Sequence, residues 1–129
     1  MKENRLELRA QYADTDAYGV VWHGSYLRWM EQGRVDFLRD NGLEIEQLRI
    51  NEGIVMPVIE LNIKYKYSAK AMDKLVLVTK LIELTKTSAK FSQEIIHLET
   101  GKTCTVAEVK ALALKDNKIM KNLDELLGV

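Results

Sequence analysis

Two carboxylates one residue apart, Asp14 and Asp16, stand where an alternating segment hands over to a loop. His23 follows seven positions after Asp16, and Gly24 and Ser25 come next, at the start of the one long helical pattern. A helix start carries amide N–H groups without intrahelical acceptors, and partial positive charge. Aimed at a carbonyl oxygen, such donors stabilise the oxyanion of acyl transfer, each by roughly 3 kcal/mol of barrier height. A carboxylate facing that oxygen can attack the carbonyl or activate a water. Thioesters suit the arrangement, because a thiolate leaves without a strong general acid. The residues alone do not separate Asp14 from Asp16. The plainer alternative is that the pair caps a loop, His23 caps the helix, and Gly19 and Gly24 serve only turns.

Other side chains near this segment have two readings each. Glu31 and Arg34 lie three apart on the helix, with Arg34 inside the apolar arc. A charge there needs a partner, so an ion pair is expected, either Glu31 with Arg34 or across a subunit interface. Trp22, Tyr26 and Trp29 can line an acyl pocket, but core packing is the default. Lys64, Lys66, Lys70 and Lys74 read as a solvated strand face, although ammonium groups at a pocket mouth also suit nucleotide phosphates.

The elements that must position these groups follow from periodicity. Leu6, Leu8, Ala10 and Tyr12 alternate with Arg5, Glu7, Arg9 and Gln11, which predicts a half-buried strand over 5–12. A loop over 13–19 and the apolar piece Val20-Val21-Trp22 lead into a helix from His23 to Asp40. On that helix Tyr26, Leu27, Met30, Phe37 and Leu38 share one arc, with Gly33 at its edge, and Ser25 or Gly24 can cap the start. Asn41-Gly42 closes the end. Residues 44–50 read as a short connecting helix or turn.

The remainder is strand-like. Ile59, Leu61, Ile63, Tyr65 and Tyr67 alternate with polar residues, and Pro57 sits near that strand's start, where a missing donor is tolerated. Strands are expected over 75–84, 88–98 and 102–115, the last two joined by the turn Glu99-Thr100-Gly101-Lys102. Leu123 to Leu127 suggests a terminal turn of helix. The order is strand, long helix, then four strands in hairpin succession. It predicts an α+β fold in which one antiparallel sheet of about five strands wraps one long helix. Such a sheet leaves edges open, and pairing with a second copy is the usual remedy.

Length and composition set the outer bounds. The chain has 129 residues, 47% of them hydrophobic and 29% charged, which suits one domain over 1–129. Nineteen basic and nineteen acidic residues cancel, so there is no bulk attraction to nucleic acid or to an anionic membrane. The single cysteine, Cys104, allows no intrachain disulfide and argues against a thiolate metal site. Met1 to Arg5 is polar, not a signal core, and no apolar run reaches the ~20 residues of a membrane span. The expected compartment is the cytoplasm.

The run from Tyr12 to Glu31, YADTDAYGVVWHGSYLRWME, resembles the signature of the YbgC and 4-hydroxybenzoyl-CoA thioesterase group. That family's pattern is roughly Asp-x-Asp-x-x-Gly-x-Val-aromatic-(His or Tyr)-x-Asn-Tyr, followed by a helix. The resemblance implies the hotdog fold, with homodimers that often pair again as homotetramers. It implies an acyl-CoA thioesterase with no cofactor and no metal. Asp16, the second carboxylate, corresponds to the family's catalytic aspartate, as nucleophile or general base. The family's oxyanion N–H corresponds to about His23, whose imidazole matches an orienting or proton-transfer group. The helix start at Gly24 and Ser25 would then touch substrate. Ser25 departs from the family's asparagine, which puts any contact of that amide in question. Coenzyme A contacts in the family come from the third and fourth strands and the partner subunit, which points here to Lys86, Thr87, Ser88 and Lys90.

Hydrolysis of an acyl-CoA, or of an acyl carrier protein thioester, is therefore the leading expectation. A non-catalytic hotdog module that binds acyl-CoA is the alternative, and a hydratase or dehydratase on the same fold is a third.

Overall fold

The structure is a computed structural model that describes residues 3–128. Met1 and Lys2, from the polar opening of the chain, and Val129, at the end of the expected domain, lie outside the described residues. The alternating segments form the expected strands with shifted ends. β1 (Asn4–Arg9) stops three residues short of the predicted Tyr12. The chain turns there because the Asp14 carboxylate accepts the Gln11 N–H at 2.8 Å and seeds a 3-10 turn at Tyr12–Asp14. Ala10 stays buried, but Tyr12 points to solvent and is 76% exposed.

α1 (His23–Asp40) has the predicted bounds. After it come α2 (Ile45–Glu52), the short β2 (Ile54–Val55), β3 (Val58–Tyr65), β4 (Lys74–Leu84), β5 (Ser88–His97) and β6 (Thr103–Leu112). The five long strands form one antiparallel sheet in the order β1-β4-β5-β6-β3. Hairpin succession therefore holds for β4, β5 and β6 but not for β3, which lies beside β6 at the far edge. The reason is occupancy. β1 takes the outer edge of β4 from Asn4↔Thr79 to Arg9↔Lys74, so β3 finds its ladder on β6, from Val58↔Ala111 to Tyr65↔Thr105.

The strand expected over 102–115 divides at Ala113, whose N–H donates to the Thr87 carbonyl while its own carbonyl accepts from Met120. Beyond that point β7 (Leu114–Lys115) joins β2 and β8 (Lys118–Ile119) in a second small sheet. α3 (Leu123–Leu126) is the predicted terminal turn.

α1 lies across the sheet on the side of β1 and β4. Its buried face is Tyr26, Trp29, Met30, Gly33, Phe37 and Leu38, so the apolar arc is rotated toward Trp29 and leaves Leu27 half-buried. Gly33 marks the closest approach. A Cβ at this position would sit 2.5 Å from Leu77 Cδ2 and 2.9 Å from Thr79 Oγ1. Below it, Gln93 is fully buried and donates to the Met30 carbonyl at 2.8 Å and to Thr79 Oγ1 at 2.9 Å.

A helix is about 10 Å wide and five strands span nearly 20 Å, so α1 cannot cover the whole sheet. The uncovered part is β3, where Val58, Ile59, Leu61 and Tyr65 are 42–53% exposed. Beside it, an apolar hollow of about 340 Å³ runs between α1 and the start of β3, walled by Val35, Leu38, Met56 and Phe91 with Glu31 and Arg34 at its rim.

Candidate active site

The loop after β1 is pinned from inside. Asp14 is 6% exposed, and its carboxylate accepts from the Gln11 N–H and from the Arg28 guanidinium. Its carbonyl accepts from the Trp22 N–H at 2.8 Å and from the Ser25 hydroxyl at 3.0 Å. Two residues on, the chain makes a tight turn. Asp16 N–H donates to the Val20 carbonyl, and Gly19 N–H donates back to the Asp16 carbonyl. Gly19 sits at φ +80, in the left-handed region that this turn requires and that glycine enters without penalty. Val20 and Val21 then bridge to the segment around Lys70 and back to Thr15.

This fastening puts Asp16 and the start of α1 on one cleft of about 260 Å³. Asp16, Val21, His23 and Tyr26 form one wall; Tyr65, Lys66, Tyr67 and Ser68 form the other. One oxygen of the Asp16 carboxylate accepts the Tyr18 N–H at 2.8 Å. The other has no donor among the described residues. At the helix start, the N–H groups of His23 and Gly24 likewise find no acceptor among the described residues. The Trp22 ring lies against Gly24 so closely that a Cβ there would meet it at 2.3 Å.

The far wall holds the helix start in place. The Tyr65 hydroxyl donates to the His23 carbonyl at 3.3 Å, and its ring meets the His23 imidazole edge-on at 6.4 Å. Burial pushes the Tyr65 phenol up from its ordinary range, so it remains a donor at neutral pH. Burial also raises the Tyr26 phenol, against the lowering effect of the Ala69 N–H that it accepts at 3.0 Å.

The structure thus brings Asp16 and His23 onto one cleft, with Gly24 next to His23 in the first turn of α1. Ser25 follows on the helix but is buried, with its hydroxyl committed to the Asp14 carbonyl rather than turned to the cleft. Lys86, Thr87, Ser88 and Lys90 lie at the β4–β5 turn and the start of β5. That is the opposite end of the sheet, since Ser88 faces Leu112 across the ladder while Tyr65 pairs with Thr105. Ser88 is buried against Thr85, and Lys90 lies 3.6 Å from Glu108.

The ion pair expected within the chain between Glu31 and Arg34 is absent. Arg34 instead donates to Gln93 Oε1 at 2.9 Å, and burial lowers its pKa against the raising effect of Glu31. Tyr26 and Trp29 are core residues, whereas Trp22 is half-exposed. Sequence reasoning missed Tyr65, Ser68 and Arg28. Tyr65 read only as one step of an alternating strand, and its role depends on a contact 42 residues away. Among the described residues no cluster of histidine, cysteine or acidic side chains suits a metal ion. No helix among the described residues is long and apolar enough to cross a membrane. Cys104 is buried, and desolvation pushes its thiol up to about 11, which makes it a poor nucleophile.

A family model described as the thioesterase-like superfamily matches residues 10–122. The chain is 33% identical over 95 residues to the acyl-CoA thioester hydrolase YbgC of Escherichia coli O6:H1, covering 74% of this chain and 70% of that protein. Among solved structures, the DHNA-CoA thioesterase of Staphylococcus aureus superposes with a TM-score of 0.87 at 29% identity, over 97% of this chain and 83% of the other. A 4-hydroxybenzoyl-CoA thioesterase, solved as a mutant with 4-hydroxybenzoyl-CoA, superposes with a TM-score of 0.82 over 90% of this chain and 94% of the other. At 19% identity that is a likeness of fold alone.

Proposed function

Since this chain belongs to the thioesterase-like superfamily and has its hotdog fold, we propose that it hydrolyses an acyl-CoA thioester to the free acid and coenzyme A, with Asp16 as the catalytic carboxylate. The observation that carries this reading is one shared cleft, lined by Asp16, which has a carboxylate oxygen without a donor among the described residues, and by His23 at the helix start, where the N–H groups of His23 and Gly24 lack acceptors. A thioester carbonyl between them has its oxygen on the helix start and its carbon open to attack. Asp16 either attacks that carbon itself, expelling the thiolate and leaving an acyl-enzyme anhydride that water cleaves, or takes a proton from the attacking water. In both routes the N–H groups meet the negative charge as it develops. His23 orients the thioester or moves a proton at the leaving sulfur.

The reading includes self-association as a dimer, or a dimer of dimers. An edge strand of eight residues with exposed apolar side chains on the helix side is the natural contact, because a free edge left open invites pairing. Antiparallel pairing of two β3 strands sets the Val58 end of one copy beside the Tyr65 end of the other. The β4–β5 turn and the start of β5, which carry Lys86, Thr87, Ser88 and Lys90, would then approach the partner's cleft, which is how they would serve the coenzyme A moiety. An acyl carrier protein thioester offers the same reacting group, and the acyl preference is left to experiment.

Release of free thiol from short, long and aromatic acyl-CoA thioesters tests the reading. Wild type should turn over at least one of them, and Asp16→Asn should lose about 100-fold or more in kcat. Undiminished turnover by Asp16→Asn overturns the assignment. Tight acyl-CoA binding with no turnover across the panel would favour the non-catalytic module.

A further inference from the structure

Every polar atom of Asp14 is engaged. Its N–H donates to the Gln11 carbonyl, its carboxylate accepts from Gln11 and Arg28, and its carbonyl accepts from Trp22 and Ser25. These contacts tie the loop that carries Asp16 to the first two turns of α1. They also bury a negative charge two residues from Asp16, a backbone separation of about 7 Å at most. A bare carboxylate there would repel negative charge at the reacting centre, including an oxyanion forming over the helix start. Arg28 reaches back from the second turn of α1 and neutralises it.

We propose that Asp14 and Arg28 are a positioning and charge-cancelling pair, which fixes the distance between Asp16 and the helix start while keeping the Asp14 charge from the reacting carbonyl. The proposal rests on Asp16 being the catalytic carboxylate. Other titratable groups line the cleft with Asp16, namely His23 and Tyr26 on α1, Tyr65 on β3, and Lys66 and Tyr67 just after it. The proposed variants leave all of them in place, so a shift can be referred to the pair.

The pH dependence of kcat/KM for an acyl-CoA substrate separates charge from mere structure. Arg28→Met leaves the Asp14 charge uncancelled beside the reacting centre, and the acid limb moves up. Asp14→Asn leaves an unmatched guanidinium, and the limb moves down. Because the Arg28 side chain is 62% exposed, solvent screens the effect, and the two shifts are expected to be small and opposite in sign. The double variant removes both charges and should return the limb to its wild-type position. Arg28→Lys keeps the charge and should keep the limb, even where thermal unfolding shows lost stability; with Asp14→Asn it carries the test if Arg28→Met does not fold. Single variants that shift the same way, or that lower kcat with the limb fixed, overturn the proposal. So does a double variant as displaced as either single. If Asp16→Asn is inactive and the limbs do not move, only this proposal fails. If Asp16→Asn is fully active, the catalytic assignment fails with it.

Discussion

At the scale of single residues, the cleft shows how a local signature and a distant contact differ in legibility. Asp16, His23 and Gly24 were readable because chemistry and spacing sit within nine consecutive residues. Arg28 and Tyr65 were not, because nothing in an alternating strand or an exposed helical arginine says which turn it will reach. Ser25 is the instructive case. It stands where the resembling family has asparagine, which pointed to a substrate contact, yet the hydroxyl is buried and bonded to the Asp14 carbonyl. Ser25→Ala should therefore cost about 1 kcal/mol of stability, the usual worth of one such bond. KM should change by less than about twofold if the hydroxyl never meets substrate, whatever happens to kcat. Urea denaturation together with steady-state kinetics checks both; a large rise in KM with unchanged stability would return Ser25 to the substrate.

At the scale of elements, period-2 and period-3.6 patterns located every long strand and the main helix, because each element buries one face. They did not give the order of strands. β3 joins β6 because β1 already occupies β4, and that is a competition between segments far apart in the chain. Nor did the pattern predict how closely α1 approaches the sheet. Gly33 allows the contact, and the atoms it would meet belong to Leu77, Thr79 and Gln93, all three fully buried and unable to retreat. In an exposed helix, Gly→Ala gains about 1 kcal/mol. Here overpacking costs about 1–3 kcal/mol, and disturbance of the Gln93 hydrogen bonds adds to that. Gly33→Ala is expected to lower the unfolding free energy by roughly 2 kcal/mol net, read as a lower Tm and an unchanged denaturant m-value. A variant as stable as wild type would mean that α1 can lift away from the sheet without loss, and that the close contact is not what fixes its position.

At the scale of the whole molecule, what remains unbalanced lies along one side. One helix covers the β1–β4 half of the sheet, and the β3 half presents Val58, Ile59, Leu61 and Tyr65 beside an apolar hollow. The Arg34 guanidinium at that hollow's rim is partly desolvated and bonded only to a neutral amide oxygen, while Glu31, exposed on the same rim, has no ion-pair partner among the described residues. A two-fold axis beside β3 meets these needs together. In the proposed dimer it would pair the free edges and cover the apolar side chains, with Glu31 and Arg34 at the rim of the joined surface. With equal numbers of acidic and basic residues, no net repulsion opposes the contact. Leu61 is the site at which to break it. It is 42% exposed at the edge, so a charge there costs the single chain little but would be buried in the pair. Sedimentation equilibrium at micromolar concentration should show wild type as a dimer or larger, and Leu61→Lys as a monomer with an unchanged far-ultraviolet spectrum. Acyl-CoA turnover should fall with the dimer if, as proposed, the partner's β4–β5 turn serves the coenzyme A moiety. A wild type that sediments as a monomer at about 100 μM, with full activity, would show that one chain suffices.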